Sequence, residues 1–331
     1  MGHRLLAWSL WPLGMALQAS AVVVAGWSYP DSVGRTMGLT TVLFLLLLSG
    51  LEQVLPYRHD WSLRGDRDMW RDLGHAVLYT SIGGNAAQIV FLSGFLLGLS
   101  RLGFADGFRM WPVNSPLLMH IVAVVLLGDL LEYWYHRLAH TLPWLWPLHA
   151  IHHTPVRLNV LKGPRHHLVY FLGRGLFVWA PLLVLGVPPR LVAWQFAAVV
   201  LVGSQAHANI AFRIPIFVHR IFVTPEFHRI HHSIDANEGN SNYSAVFPIW
   251  DLLFRSHTDP RLVEVRQTGI DRDPIPRRFL SELLSPVTFH RLTRDRPTAD
   301  RIPAPGGRAL DPGAADPPVA ETTKGSGKNS R

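Results

Sequence analysis

The chain has 331 residues, 48% of them apolar and only 16% charged, well below the roughly 25% charged residues of an average soluble domain. It has no cysteine, which excludes disulfides, iron–sulfur clusters, zinc ribbons and a thiolate-ligated haem, so any metal is held by nitrogen and oxygen. The net charge of +8 is almost entirely arginine, since Lys162, Lys324 and Lys328 are the only lysines, and these arginines flank apolar stretches as in membrane proteins instead of forming the basic stripe of a nucleic-acid-binding module.

Residues 5–29 carry no charge and are long enough to cross a bilayer, which takes about 20 apolar residues. A cleaved signal peptide is the competing reading, but the run exceeds the usual apolar core of about 7–15 residues and no small-residue cleavage site follows it. Further apolar spans are predicted over about 36–56, 77–100 and 115–135, the first ending near Glu52. Residues 57–75 form a connection that contains Arg58, Arg64, Arg67 and Arg71. A mostly apolar pair, about 170–187 and 190–208, is broken at Val187-Pro188-Pro189-Arg190, and Arg174 is the one charge inside its first half. It reads as two short spans or one re-entrant hairpin. Residues 257–295 read as a basic soluble cap, and 296–331, rich in Pro, Gly, Ala and Asp, as a disordered tail.

With the N-terminus in the cytoplasm, the inner side receives Arg4, the 57–75 connection and every histidine cluster. The outer side receives Arg35, Arg101, Arg109 and Arg190. That distribution obeys the positive-inside rule. The arginine- and alanine-rich usage suggests a GC-rich bacterial genome, hence a bacterial inner membrane. The expected fold is all-α: a polytopic membrane helical protein with a cytoplasmic histidine-rich helical cap. An N-terminal transmembrane region, 1–115, precedes a catalytic region, 116–256.

Three histidine clusters carry the chemistry. His136 and His140 stand at i and i+4, on one helix face, in a helix that stops before Pro143. His149, His152 and His153 follow in a turn ended by Pro155. Thr224-Pro225-Glu226 reads as an N-cap, a proline at the first helical position and an acid in the first turn, and the helix presents His228, His231 and His232. Eight imidazoles are too many for one ion and about right for two, and imidazole suits iron, zinc and copper. His207 is a ninth candidate and His167, beside His166, a tenth. Asp129 and Glu132 precede His136 on a membrane span, where ionisable groups are costly, and are expected to accept the second N–H of the imidazoles. Trp134, Trp144 and Trp146 read as an interfacial belt. His3, His59, His75, His219, His257 and His290 read as solvated or structural, and His120 as a hydrogen-bonded core residue.

These clusters resemble the fatty acid hydroxylase/sterol desaturase superfamily of integral membrane di-iron enzymes, over about residues 120–256. Asp129 to His140 is similar to its first box, Leu145 to His153 to its second, His207-Ala208-Asn209 to its His-x-Asn element, and Thr224 to Ser233 to its last box. Asn242-Tyr243 and Trp250-Asp251 match its closing segment. There are departures: Arg165-His166-His167-Leu168 lacks the proline of the family's Arg-x-His-Pro, Phe254-Arg255-Ser256 replaces Phe-Gly-Thr, and Ser244 stands where glycine is common. The resemblance implies two non-haem irons on His136, His140, His149, His152, His153, His207, His228, His231 and His232. It also implies O2-dependent hydroxylation or desaturation of a lipid (a sterol, fatty acyl or related substrate). The chain has no electron carrier of its own, so electrons are expected from a separate ferredoxin, cytochrome or reductase, with Arg277 and Arg278 in a candidate docking surface. A zinc hydrolase is disfavoured by the lack of His-Glu-x-x-His. A metal transporter or a bis-histidine haem protein would place its ligands along the spans.

Overall fold

The computed structural model describes residues 10–20, 23–24, 33–78, 87–104, 107–112 and 114–293. Within them the chain is all helical: no strand forms, and pairing is limited to two isolated bridges, Pro56 with Ile210 and Ser233 with Thr268. Helix α1 covers residues 10–20, α2 Val33–Val54, α3 Met69–Val77 and α4 Ala87–Arg101. Then come α5 Leu117–Thr141, α6 Trp146–His153, α7 Leu168–Val184 and α8 Pro189–Ala206. The last four are α9 Pro225–His231, α10 Ala236–Gly239, α11 Ile249–Leu253 and α12 Phe279–Thr293. The N-terminal span expected over 5–29 and the tail expected over 296–331 lie largely or wholly outside the described residues.

Prolines set the limits of α5. Pro116 precedes it, and Leu142 turns extended before Pro143, the conformation a following proline favours. At 25 residues it is the one described helix long and apolar enough to cross a membrane, beside shorter apolar helices at Leu39–Val54 and Leu168–Val184. α7 ends in a Schellman turn: Val187 N–H reaches Leu182 O at 3.0 Å, and Gly186 takes φ +89°, a conformation glycine adopts without strain. The break expected at 187–190 is therefore a tight hairpin between α7 and α8.

α5 packs against both arms of that hairpin through Val124, Val178, Trp179, Leu182, Leu183 and Leu191. Gly128 makes the α5–α8 approach possible, because a Cβ there would sit 2.2 Å from Gln195 Cγ. Inside this three-helix unit Glu132 accepts from Arg174 Nε at 2.6 Å and from Gln195 Nε2 at 3.2 Å. The one charge inside the first arm is thus neutralised from α5. α6 lies between α5 and α12, with Ala150 and Ile151 packed against Ile275 and Phe289. A buried charge network ties α12 to α3 and to the 159–165 segment. Glu282 accepts from Arg71, from Arg165 at 2.6 Å and from His75 at 2.9 Å. Asp72 accepts from Arg165 at 2.8 Å and from Lys162, which also reaches Asp66 at 2.8 Å. Lys162, the one lysine outside the tail, is buried between these two carboxylates.

Candidate metal centre

The nine imidazoles singled out by sequence meet in two groups, His136, His140, His149, His153 and His231 in one, and His152, His207, His228 and His232 in the other. Helix geometry explains the division. On α6 the i, i+4 pair His149 and His153 faces the first group, while His152, about 100° around the helix from His153, faces the second. α9 does the reverse: His228 and His232 enter the second group and His231 the first. Each short helix therefore serves both groups. The groups share a wall, with the rings of His153 and His232 stacked at 4.4 Å.

The nitrogens make more mutual contacts than hydrogen bonds among themselves can satisfy. In the first group Nε2 of His149 lies 3.0 Å from that of His136 and 3.1 Å from that of His153, which is 3.2 Å from that of His140. In the second, His207 Nε2 lies 3.2 Å from His152, 3.1 Å from His232 and 3.1 Å from His228. One Nε2 offers either one proton or one lone pair, so four of them can form at most two hydrogen bonds, and the remaining contacts, among them two of the three at His207, go unmet without a cation between them. Metal–nitrogen bonds of about 2.1 Å put adjacent octahedral donors about 3.0 Å apart and tetrahedral ones about 3.4 Å apart. The donor set thus fits two borderline cations held by neutral nitrogens. Burial, with the neighbouring imidazoles adding to it, pushes His149, His152, His153, His228 and His232 well below the ordinary imidazole value, and His231 likewise. They stay neutral, the form that ligates.

Backbone carbonyls orient two of the rings. His136 Nδ1 donates to Tyr243 O at 2.7 Å and His231 Nδ1 to Ser241 O at 2.8 Å, which fixes their tautomers and aims Nε2 inward. That corrects the expectation for Asp129 and Glu132: neither touches an imidazole. Glu132 is engaged by Arg174 and Gln195. Asp129 accepts from Val246 N and Phe247 N, both at 2.9 Å, and from Trp250 Nε1 at 3.0 Å. Asp251 accepts from Tyr243 N and Ser244 N, both at 2.8 Å. The two aspartates act one step back, shaping the 241–251 loop whose carbonyls hold the rings.

His207 is fixed through its neighbour. Asn209 donates to Arg58 O at 3.0 Å and accepts from Arg58 N at 2.9 Å, while Glu52 accepts from Asn209 N at 2.7 Å and from Val160 N at 2.9 Å. Glu52 was legible only as an acid at the end of an apolar span. The tenth candidate, His167, is an N-cap: its Nδ1 accepts from Val169 N at 3.2 Å and its Nε2 donates to Leu283 O at 3.0 Å, which leaves no nitrogen for a metal. His166 stacks on His152 at 4.1 Å and belongs to neither group. His120 accepts from Trp111 Nε1 at 2.9 Å, and His75 and His219 are buried on Glu282 and Thr224, all structural.

Residues 121–256 match the profile of the fatty acid hydroxylase family. Ornithine lipid hydroxylase OlsE of Rhizobium tropici is 30% identical over 254 residues, 76% of this chain and 74% of that protein. The chain belongs to the fatty acid hydroxylase family. Alkylglycerol monooxygenases of Danio rerio and Homo sapiens are 30% and 29% identical over 127 and 123 residues, and the chain spans 28% and 27% of their length. No solved structure matches this chain significantly. The matched segment of this fatty acid hydroxylase family member contains all nine converging imidazoles and the aspartates that shape their loop.

Proposed function

We propose that this chain is an integral membrane oxidoreductase that hydroxylates a C–H bond of a polar lipid, using two irons, O2 and electrons from a separate donor. The observation that carries the reading is the pair of adjoining groups built from imidazole alone. His136, His140, His149, His153 and His231 would hold one iron, and His152, His207, His228 and His232 the other. Two irons there would supply the reductive activation of O2 that oxidation of an unactivated carbon requires. The balance is one C–H bond and O2 with two electrons and two protons, giving one alcohol and one water. Hydroxylation is favoured over desaturation because the relatives are named a hydroxylase and monooxygenases. Among the described residues neither group includes a carboxylate to serve as general base, which disfavours the zinc hydrolase.

The protein's part is binding, orientation and exclusion of water. Tyr243 O and Ser241 O hold two rings, and buried Asp129 and Asp251 hold the loop that bears them. The apolar helices α5, α7 and α8 would receive the lipid chain below the groups, and the site would face the cytoplasm of a bacterial inner membrane. Metal analysis and lipidomics test the reading together. Protein purified gently from membranes is expected to hold two irons per chain, and cells expressing it to gain a hydroxylated lipid. His152→Ala and His231→Ala should each abolish that product, and unchanged product in both would overturn the proposal.

A further inference from the structure

The segment 257–293 contains a helix whose outer face does not belong in water. On α12, Leu280, Leu284 and Val287 recur at i, i+4 and i+7 and are 71%, 62% and 85% exposed. On α3, Trp70, Leu73 and Val77 recur at i, i+3 and i+7 and are exposed in turn, Trp70 at 74%. The helices meet where Phe279 packs over Gly74, whose Cβ position is 3.0 Å from the Phe279 ring. Between them runs an open apolar groove of about 440 Å³. The charge network on Glu282 and the contact of Phe289 with α6 fix the opposite face of α12, so the apolar face cannot turn inward.

We propose that α3 and α12 together form a platform seated in the headgroup region of an anionic leaflet, at the level of the metal centre. Three observations select a lipid surface. Exposed arginines flank both helices in the chain, Arg64 and Arg67 just before α3, Arg277 and Arg278 just before α12 and Arg291 near its end, a composition that anionic headgroups attract. A tryptophan and aliphatic side chains on one face with arginines beside them are the mark of a helix lying in the interface. α3 is also followed in the sequence by the apolar stretch expected over 77–100, which would bring its end to the membrane boundary. Because α12 packs on α6, the platform holds His149, His152 and His153 at a set depth relative to the lipid. The inference rests on the membrane residence proposed above.

The chain has no cysteine, so single spin labels can be placed without background. Leu284→Cys and Val287→Cys test the platform in the full protein reconstituted in phosphatidylglycerol-containing vesicles. Leu118→Cys on the exposed face of α5 is the membrane control, and Leu262→Cys, 82% exposed before α12, is the aqueous one. Labels at 284 and 287 are expected to collide with O2 several-fold more often, relative to a water-soluble nickel chelate, than the label at 262. Replacing phosphatidylglycerol with phosphatidylcholine should reduce that excess. Aqueous behaviour at 284 and 287 with an apolar label at 118 overturns the platform alone and points to a protein partner on that face. Aqueous behaviour at all of them, 118 included, overturns membrane residence as well. An excess unchanged in neutral vesicles removes the role given to the arginines.

Discussion

His149, His152 and His153 occupy little more than one helical turn and enter two imidazole groups, so a single residue step decides which group an imidazole joins. Spacing within the three clusters makes eight candidate ligands legible, because i and i+4 share a face, and the ninth, His207, comes from the resemblance of His207-Ala208-Asn209 to the family's His-x-Asn element. Neither makes the five-and-four division legible, because that depends on where α8 and α5 stand relative to α6 and α9. The orienting groups were hidden for another reason: they are backbone carbonyls, at Tyr243 and Ser241, which any residue supplies. Their trace in the sequence is Asp129 and Trp250-Asp251, the residues that fold the loop. Just beyond that loop, after α11, Arg255 takes φ +57°, a left-handed conformation that disfavours a Cβ by roughly 1–2 kcal/mol. The family resemblance places glycine at this position, and the Arg255 side chain is exposed. Arg255→Gly is therefore expected to leave the thermal midpoint unchanged or raise it, a net gain of up to about 1 kcal/mol once glycine's greater chain entropy is subtracted. Asn242 also has positive φ, at +58°, but its side chain donates to Phe227 O and Thr258 O and accepts from Thr258 N at 2.8 Å. Asn242→Ala should destabilise by about 1–3 kcal/mol through the orphaned backbone groups. A large loss in Arg255→Gly would show that the arginine holds the loop.

Between elements, two buried charge clusters do different work. Glu132 and Arg174 join α5 to α7 inside the apolar bundle, nearly inaccessible to solvent. Removing one partner strands the other charge, which costs about 3–5 kcal/mol, whereas replacing both with apolar residues of similar volume is close to neutral. Glu132→Leu should lower the thermal midpoint sharply, and adding Arg174→Met should recover most of it. No recovery would mean that Gln195, left without Glu132, carries the penalty. Glu282 works at the edge. Burial alone would raise its carboxyl, but the hydrogen bond from His75 and the charges of Arg165 and Arg71 outweigh it and hold the group below the usual 4.5. A depressed carboxylate stabilises the fold above its unfolded value, and that contribution is lost as pH falls through the folded one. α12 should stay docked from neutral pH down to about 4.5 and loosen below it, seen as faster amide exchange in α12 than in α5. Glu282→Gln should show the loosened pattern at neutral pH. An unchanged α12 in that variant would assign its docking to Ile275 and Phe289 alone. The docking itself was not legible: an arginine-rich segment reads as solvated until its glutamate is seen to be enclosed.

At the scale of the whole molecule, the proposed oxidation needs electrons, and the sequence points to a separate donor for them. It lacks cysteine for a cluster, and the spacing of its histidines suits close metal pairs, not a haem between spans. Protein free of haem should show no Soret band. Hydroxylation consumes two electrons per alcohol formed, so purified protein in lipid with O2 alone should give no sustained product, and an added ferredoxin or cytochrome with its reductase should restore turnover. The stoichiometry is sharper than the rate. A chain loaded with two ferrous ions, freed of excess reductant and then mixed with O2 holds electrons for one event. It should give at most one alcohol per chain, with one oxygen atom from O2 in the product. Product accumulating beyond one per chain without a donor would require an electron source within the protein and would overturn the expectation of a separate donor. Half an equivalent at saturating lipid would mean instead that half of the electrons reduce O2 to hydrogen peroxide without oxidising lipid, and peroxide in the medium would then account for them.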